Sequence, residues 1–162
     1  MQETAKIIIL DEKAIGAKLM RLAAQILEQH TDFEKIQFLG LNERGFYLAN
    51  ELRDLIKKFN KSLKVEVFEG LTEHEIDVKN SNAIDPNLPI IVVDDVLNTG
   101  KSMFFLLTKL AEINPQNIKI CVLADRKHKK YPIRPDFVGL SFATTLQEFI
   151  IFDKANLSLY LT

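Results

Sequence analysis

Two adjacent carboxylates, Asp94 and Asp95, stand between an apolar run, Ile90-Ile91-Val92-Val93, and the segment Val96-Leu97-Asn98-Thr99-Gly100-Lys101-Ser102. A buried strand here would carry both acids to the carboxyl edge of a sheet. A helix opening after Gly100 would present free backbone N–H groups and the positive end of its dipole. Gly100 lets the backbone approach an anion closely. The hydroxyls of Thr99 and Ser102 add donors. The combination suits a phosphate group, with the carboxylates poised for hydroxyls or a hydrated metal ion beside it. Gly100-Lys101-Ser102 also ends like a P-loop, but that pattern needs a glycine five positions earlier, and position 95 is aspartate. A bland alternative is an acidic strand end beside a capped helix. The apolar strand, the acid pair and the Thr-Gly-x-Ser helix start occur together, which favours the chemical reading.

The elements that must position these residues are readable along the chain. Ile7 to Leu10 is β-branched and apolar, a short strand. Asp11 then has the form of an N-cap, with Glu12 in the first turn. Ile15, Leu19, Leu22 and Ile26 recur at helical spacing. Ile36 to Leu41 is a second compact run, and Leu48, Leu52, Leu55 and Phe59 restart the helical period. Leu63, Val65 and Val67 alternate with Lys64 and Glu66 as in a strand. Gly70 to Leu88 reads as a loop, Pro89 to Val93 as a strand ending in the acid pair, and Ser102 to Ile113 as a helix. Ile118 to Val122 and Phe137 to Leu140 are further strands, and Phe149 to Phe152 with Leu157 to Leu161 suggests an extra hairpin. Alternating strands and helices imply an α/β fold with a parallel sheet and helices on both faces. In such sheets ligands bind beyond the carboxyl ends of the strands.

Composition narrows the class. The chain has 162 residues, 47% hydrophobic and 27% charged, the balance of a single globular domain spanning 1–162. Lys+Arg is 21 and Asp+Glu is 22, so a surface basic throughout, as a general nucleic-acid coat needs, is excluded. The one cysteine, Cys121, cannot form an internal disulfide and lies among apolar residues, so it reads as a buried thiol. No signal-peptide pattern and no apolar stretch of membrane length is visible, which makes the cytoplasm the expected location. His30, His74 and His128 lack metal-ligand spacing.

With these residues in view, the segment Val93 to Gly100 resembles the phosphoribosyl-pyrophosphate motif of type I phosphoribosyltransferases. The blocks Asp11–Ile26, Gly40–Ile56, Ile90–Lys109 and Ala124–Gly139 resemble the pyrimidine-operon regulators that double as uracil phosphoribosyltransferases. Asp125-Arg126-x-His128, Pro132-Ile133-Arg134 and Asp136-Phe137-Val138-Gly139 carry the resemblance to that group. It implies a type I fold, a central mostly parallel sheet with helices on both faces and a small hood. It implies a transferase that moves a phosphoribosyl group from phosphoribosyl pyrophosphate to a base, here a pyrimidine such as uracil. Asp94 and Asp95 would bind the ribose hydroxyls, flanked by Val96 and Leu97. Thr99, Gly100, Lys101 and Ser102 would hold the 5′-phosphate. The turn Leu41, Asn42, Glu43, Arg44 and Gly45 would meet the pyrophosphate, with Arg44 as its cation. The stretch from Ala124 to Ile133, including Asp125 and Arg126, would lie over the base. Mg2+ would bridge pyrophosphate and ribose, with no protein residue assigned as a direct ligand. Asn98 stands where purine-specific members carry a proton-transferring aspartate, which leans toward pyrimidines.

The sequence also departs from that group. Asn42 and Glu43 replace a Lys and a Thr in the pyrophosphate turn, and a carboxylate beside a polyanion is unfavourable. Glu43 is expected to face solvent or pair with Arg44. The stretch Glu69 to Asn87 is shorter than the group's mobile loop and has no Arg; His74 is read there as a solvated histidine. These departures support a second reading, a catalytically silent regulatory protein that binds nucleotide. Arg126, Lys127, His128, Lys129, Lys130 and Arg134 form a basic cluster suited to anion contact, with RNA an open but unfavoured partner. A homodimer is the expected assembly.

Overall fold

The structure is a computed structural model and describes residues 5–70, 83–145 and 148–162. The elements are β1 (Ile7–Leu10), α1 (Glu12–Gln29), β2 (Lys35–Leu41), α2 (Asn42–Phe59), β3 (Lys64–Gly70), β4 (Ile90–Leu97), α3 (Lys101–Ala111), β5 (Ile118–Arg126), β6 (Phe137–Phe142), β7 (Ile150–Asp153) and β8 (Ser158–Leu161).

Five strands form a parallel sheet in the order β3-β2-β4-β5-β6. The side chains of β2, β4 and β5 are buried on both faces, as strands sandwiched between helices must be. One face packs Phe38, Ile91, Val93 and Cys121 against α1 and α2. The other packs Leu39, Val92 and Val122 against Met103, Leu106 and Leu110 of α3. Burial pushes the Cys121 thiol up to about 12, which makes it an inert packing residue. Helix α1 begins where expected: the Asp11 side chain accepts from Ala14 N–H at 2.8 Å. Gln37 is the polar intruder in β2, and it is satisfied. Its amide donates to Asp85 C=O and accepts from Asp85 N–H, each at 2.8 Å, pinning the chain as it returns towards β4.

A second, antiparallel sheet has the order β1-β8-β7. It contains the expected C-terminal hairpin and places β7 against β4. This is the small hood beside a central parallel sheet. Strand β4 differs from its expected extent. It runs on through Asp94 and Asp95 to Leu97, with β5 paired alongside as far as Asp125, so the acids lie within the sheet instead of just beyond it. Strand β5 likewise extends to Arg126. Helix α3 starts one residue before the expected Ser102 and ends two before Ile113. Gly70 closes β3 instead of opening the loop, and the loop histidine His74 lies outside the described residues.

Candidate functional site

The carboxyl ends of β2 and β4 and the amino ends of α2 and α3 enclose a cavity of about 200 Å³. Asn42, Arg44, Asp94, Asp95, Val96, Leu97, Asn98, Thr99, Gly100, Lys101 and Ser102 line it. Eleven of the sequence-expected residues therefore converge on one place.

The acid pair is the electrostatic centre. Asp94 and Asp95 are only 6% and 5% exposed, deep enough that water screens them poorly. Asp94 Oδ1 accepts from the Asp95 N–H at 2.9 Å and from Asn42 Nδ2 at 3.5 Å. Burial, and after it the charge of Asp95, hold the Asp94 carboxyl well above the usual carboxylate range. Asp95 Oδ2 lies 3.7 Å from Arg44 Nη1, a half-exposed guanidinium.

The turn into α3 holds its donors loosely: the Lys101 N–H donates to Thr99 Oγ1 at 3.3 Å, a long bond. Gly100 is left-handed, with φ 83° and ψ 0°, and no side chain caps the helix. A Cβ there would press on Ile133 and Tyr131 at 3.3–3.4 Å. The Thr99 carbonyl accepts from the N–H groups of Lys130 (3.0 Å) and Tyr131 (3.1 Å), so the segment after β5 holds the turn from behind. The first helical hydrogen bond runs from Phe104 to Gly100, and the first turn of α3 contains no acid. Earlier amides of the turn lack helical acceptors and favour an anion.

The turn into α2 has a different character. Asn42 is left-handed at φ 57°, and its Oδ1 accepts from Arg44 N–H (2.9 Å) and Gly45 N–H (3.2 Å). Gly45 is where the helix presses on the sheet, since a Cβ would lie 2.4 Å from the Val93 carbonyl oxygen.

Five expected residues lie elsewhere. The Leu41 side chain is buried in the core shared with α3. Gly45 serves the helix–sheet contact and does not line the cavity. Glu43 is exposed, one of its two expected postures, and pairs with Lys154 of the hood, while Arg44 meets Asp95 instead of Glu43. Asp125 sits beside Leu97 on the next strand and pairs with Lys129 at 2.7 Å. Arg126 donates through Nη2 to the Thr145 carbonyl at 2.7 Å, and its buried Nε has no partner among the described residues. Two lining residues escape the sequence reading, Met103 and Ile150. Met103 stands next to Ser102 and was within reach. Ile150 arrives from β7, and no local spacing signals it.

Comparisons with known proteins give the family and the fold. The family described as "Phosphoribosyl transferase domain" matches residues 8–151. The protein named "Bifunctional protein PyrR" from Clostridium novyi (strain NT) is 37% identical over 158 residues, 90% of this chain and 88% of that protein. Its namesake from Macrococcus caseolyticus (strain JCSC5402) is 32% identical over 157 residues, 90% of each. Among solved structures, an HGPRT-ase from Leishmania tarentolae in complex with GMP superposes with a TM-score of 0.80 at 14% identity, over 98% of this chain and 97% of that one. A hypoxanthine phosphoribosyltransferase of Trypanosoma cruzi gives 0.76 at 15% identity, over 95% and 94%. At such identities these two speak for the fold alone, while the family match and the PyrR relatives cover nearly all of the sequence. The chain belongs to the phosphoribosyl transferase family and has its type I fold.

Proposed function

We propose that the protein transfers the phosphoribosyl group of phosphoribosyl pyrophosphate to a pyrimidine, with uracil the first base to test. One observation carries this reading: the buried Asp94-Asp95 pair and the open Thr99–Ser102 turn face the same cavity. The turn suits a 5′-phosphate, and the carboxylates are placed to accept hydrogen bonds from the ribose hydroxyls. Transfer passes through a ribose with oxocarbenium character, which a buried pair of carboxylates stabilises. Asn98 offers an amide, which cannot shuttle a proton to a purine as a carboxylate can.

Mg2+ fits this donor set. It takes oxygen ligands and uses one or two carboxylates together with substrate phosphates. Among the described residues there is no cluster of three or more His, Cys, Asp or Glu that could hold a metal alone. Asp94 and Asp95 would face the ion through its water or the ribose oxygens. When bound, it would neutralise charge on the departing pyrophosphate. Arg44 supplies a protein cation on the same side.

A second reading has its own support. The turn into α2 carries Asn42 and Glu43, neither of them a cation, which suits a regulator that binds nucleotide without turnover. RNA finds less support as a partner, because the basic cluster is divided: Lys129 is engaged by Asp125 and Arg126 by Thr145. The test incubates the protein with Mg2+, phosphoribosyl pyrophosphate and uracil and measures pyrophosphate release. Turnover supports the transferase. No turnover with any common base, together with thermal stabilisation by uridine monophosphate, supports the regulator.

A further inference from the structure

The two helix starts that face the cavity differ in one respect. At α3 the cap residue Gly100 has no side chain to offer, the first turn has no acid, and one amide, Lys101 N–H, is held at 3.3 Å by Thr99 Oγ1. At α2 the turn is already filled. Asn42 Oδ1 sits on the N–H groups of Arg44 and Gly45, where an oxygen of a bound anion would sit. The Asn42 Nδ2 points the other way, to Asp94 Oδ1. The backbone at Asn42 is left-handed, a conformation that asparagine adopts more readily than most residues, so the residue type suits this posture.

We propose that Asn42 is a specificity-determining residue that fills the pyrophosphate half of the cavity with its own carboxamide, so that the site favours a nucleoside monophosphate over a ligand carrying pyrophosphate. The inference rests on the reading of the cavity given above and deepens it. A nucleoside monophosphate uses the α3 turn and the acid pair and leaves Asn42 in place. A pyrophosphate group must displace the Asn42 oxygen from two amides before it can take them. Glu43 lies on the same turn, but its exposed carboxylate is paired with Lys154, so the bias rests on Asn42. Occupancy of the two subsites is thereby set by one short side chain.

The experiment is calorimetric titration of the whole protein with inorganic pyrophosphate and with uridine monophosphate, both with Mg2+ present. Asn42→Gly removes the carboxamide and tolerates the left-handed backbone. The ratio of pyrophosphate to uridine monophosphate affinity is expected to rise roughly tenfold, the effect of about one net hydrogen bond. Asn42→Asp keeps an acceptor on the two amides and adds a charge, and should lower the ratio below that of the parent. An unchanged or lower ratio in Asn42→Gly, or a higher one in Asn42→Asp, overturns the inference. Failure of the parent to bind uridine monophosphate at all overturns the reading of the cavity on which it rests.

Discussion

Arg44 Nη1 lies 3.7 Å from Asp95 Oδ2, across the gap between the start of α2 and the end of β4. The guanidinium is half exposed and the carboxylate buried, so the cation has solvent-side room to turn toward a ligand and the acid is enclosed. Arg44→Ala should therefore weaken binding of pyrophosphate more than binding of phosphate, which we assign to the α3 turn. Paired titrations of the variant and the parent check this, and equal losses for both ligands would contradict it.

Asp94 provides a prediction about pH. Its folded-state pKa is raised, first by burial and then by the charge of Asp95. For a group shifted this way, the stabilising contribution is present while the group is protonated, at low pH. It is lost as pH rises through the folded-state value. Asp94→Asn, which cannot ionise, should gain about 1 kcal/mol over the parent at neutral pH. The gain should shrink as the medium is acidified. Thermal unfolding of the two proteins across a pH series is the measurement. The same variant should bind uridine monophosphate less tightly than it binds phosphate, relative to the parent.

The left-handed Gly100 makes the α3 turn sensitive to any side chain. Gly100→Ala should cost about 1–2 kcal/mol through the backbone alone. Gly100→Val adds branched atoms where Ile133 and Tyr131 already lie close, and should also abolish phosphate binding. If the valine variant binds phosphate and uridine monophosphate like the parent, the turn is not the phosphate site.

His30 is buried beside Phe33 and Phe137, and its Nδ1 shares a hydrogen bond of 2.6 Å with the Ile26 carbonyl. Burial chiefly, with Lys119 adding, lowers its pKa, although the bond to Ile26 works the other way. The unfolded chain thus binds the proton more readily, so stability declines as pH falls below the ordinary imidazole range. His30→Gln keeps a donor for Ile26 without titrating. It should flatten that part of the stability curve, as read by urea midpoints at successive pH values.

How much of this was legible depends on distance along the chain. Strand β4 announced itself because both of its faces are covered, giving an unbroken apolar run. Two adjacent acids looked like its end, yet pairing with β5 carries the ladder past them. Helix α1 was legible from its stripe and from the Asp11 cap, both local signals. Asn42 was legible as an unusual residue type, whereas its left-handed backbone and its hold on two amides are set by the join between β2 and α2. The partner of Glu43, Lys154, is remote in sequence, and nothing in the spacing of either residue could name the other. Asp125 and Arg126 were expected at the base. Their own ion pair and hydrogen bonds draw them into the segment that follows β5.

The hood gives the molecule a particular order of birth. Strand β1, near the start of the chain, pairs with β8, where Ile7 meets Leu161, and β8 in turn holds β7, whose Ile150 closes the cavity. During synthesis β1 must wait for nearly the whole polypeptide before its partner exists. The α3 turn is complete in sequence well before that, and the parallel sheet once β6 ends at Phe142. A ribosome-bound chain ending before β7 would carry the acid pair and the α3 turn but lack the wall that Ile150 supplies. In chain order the α3 turn therefore comes first and the wall of the cavity last.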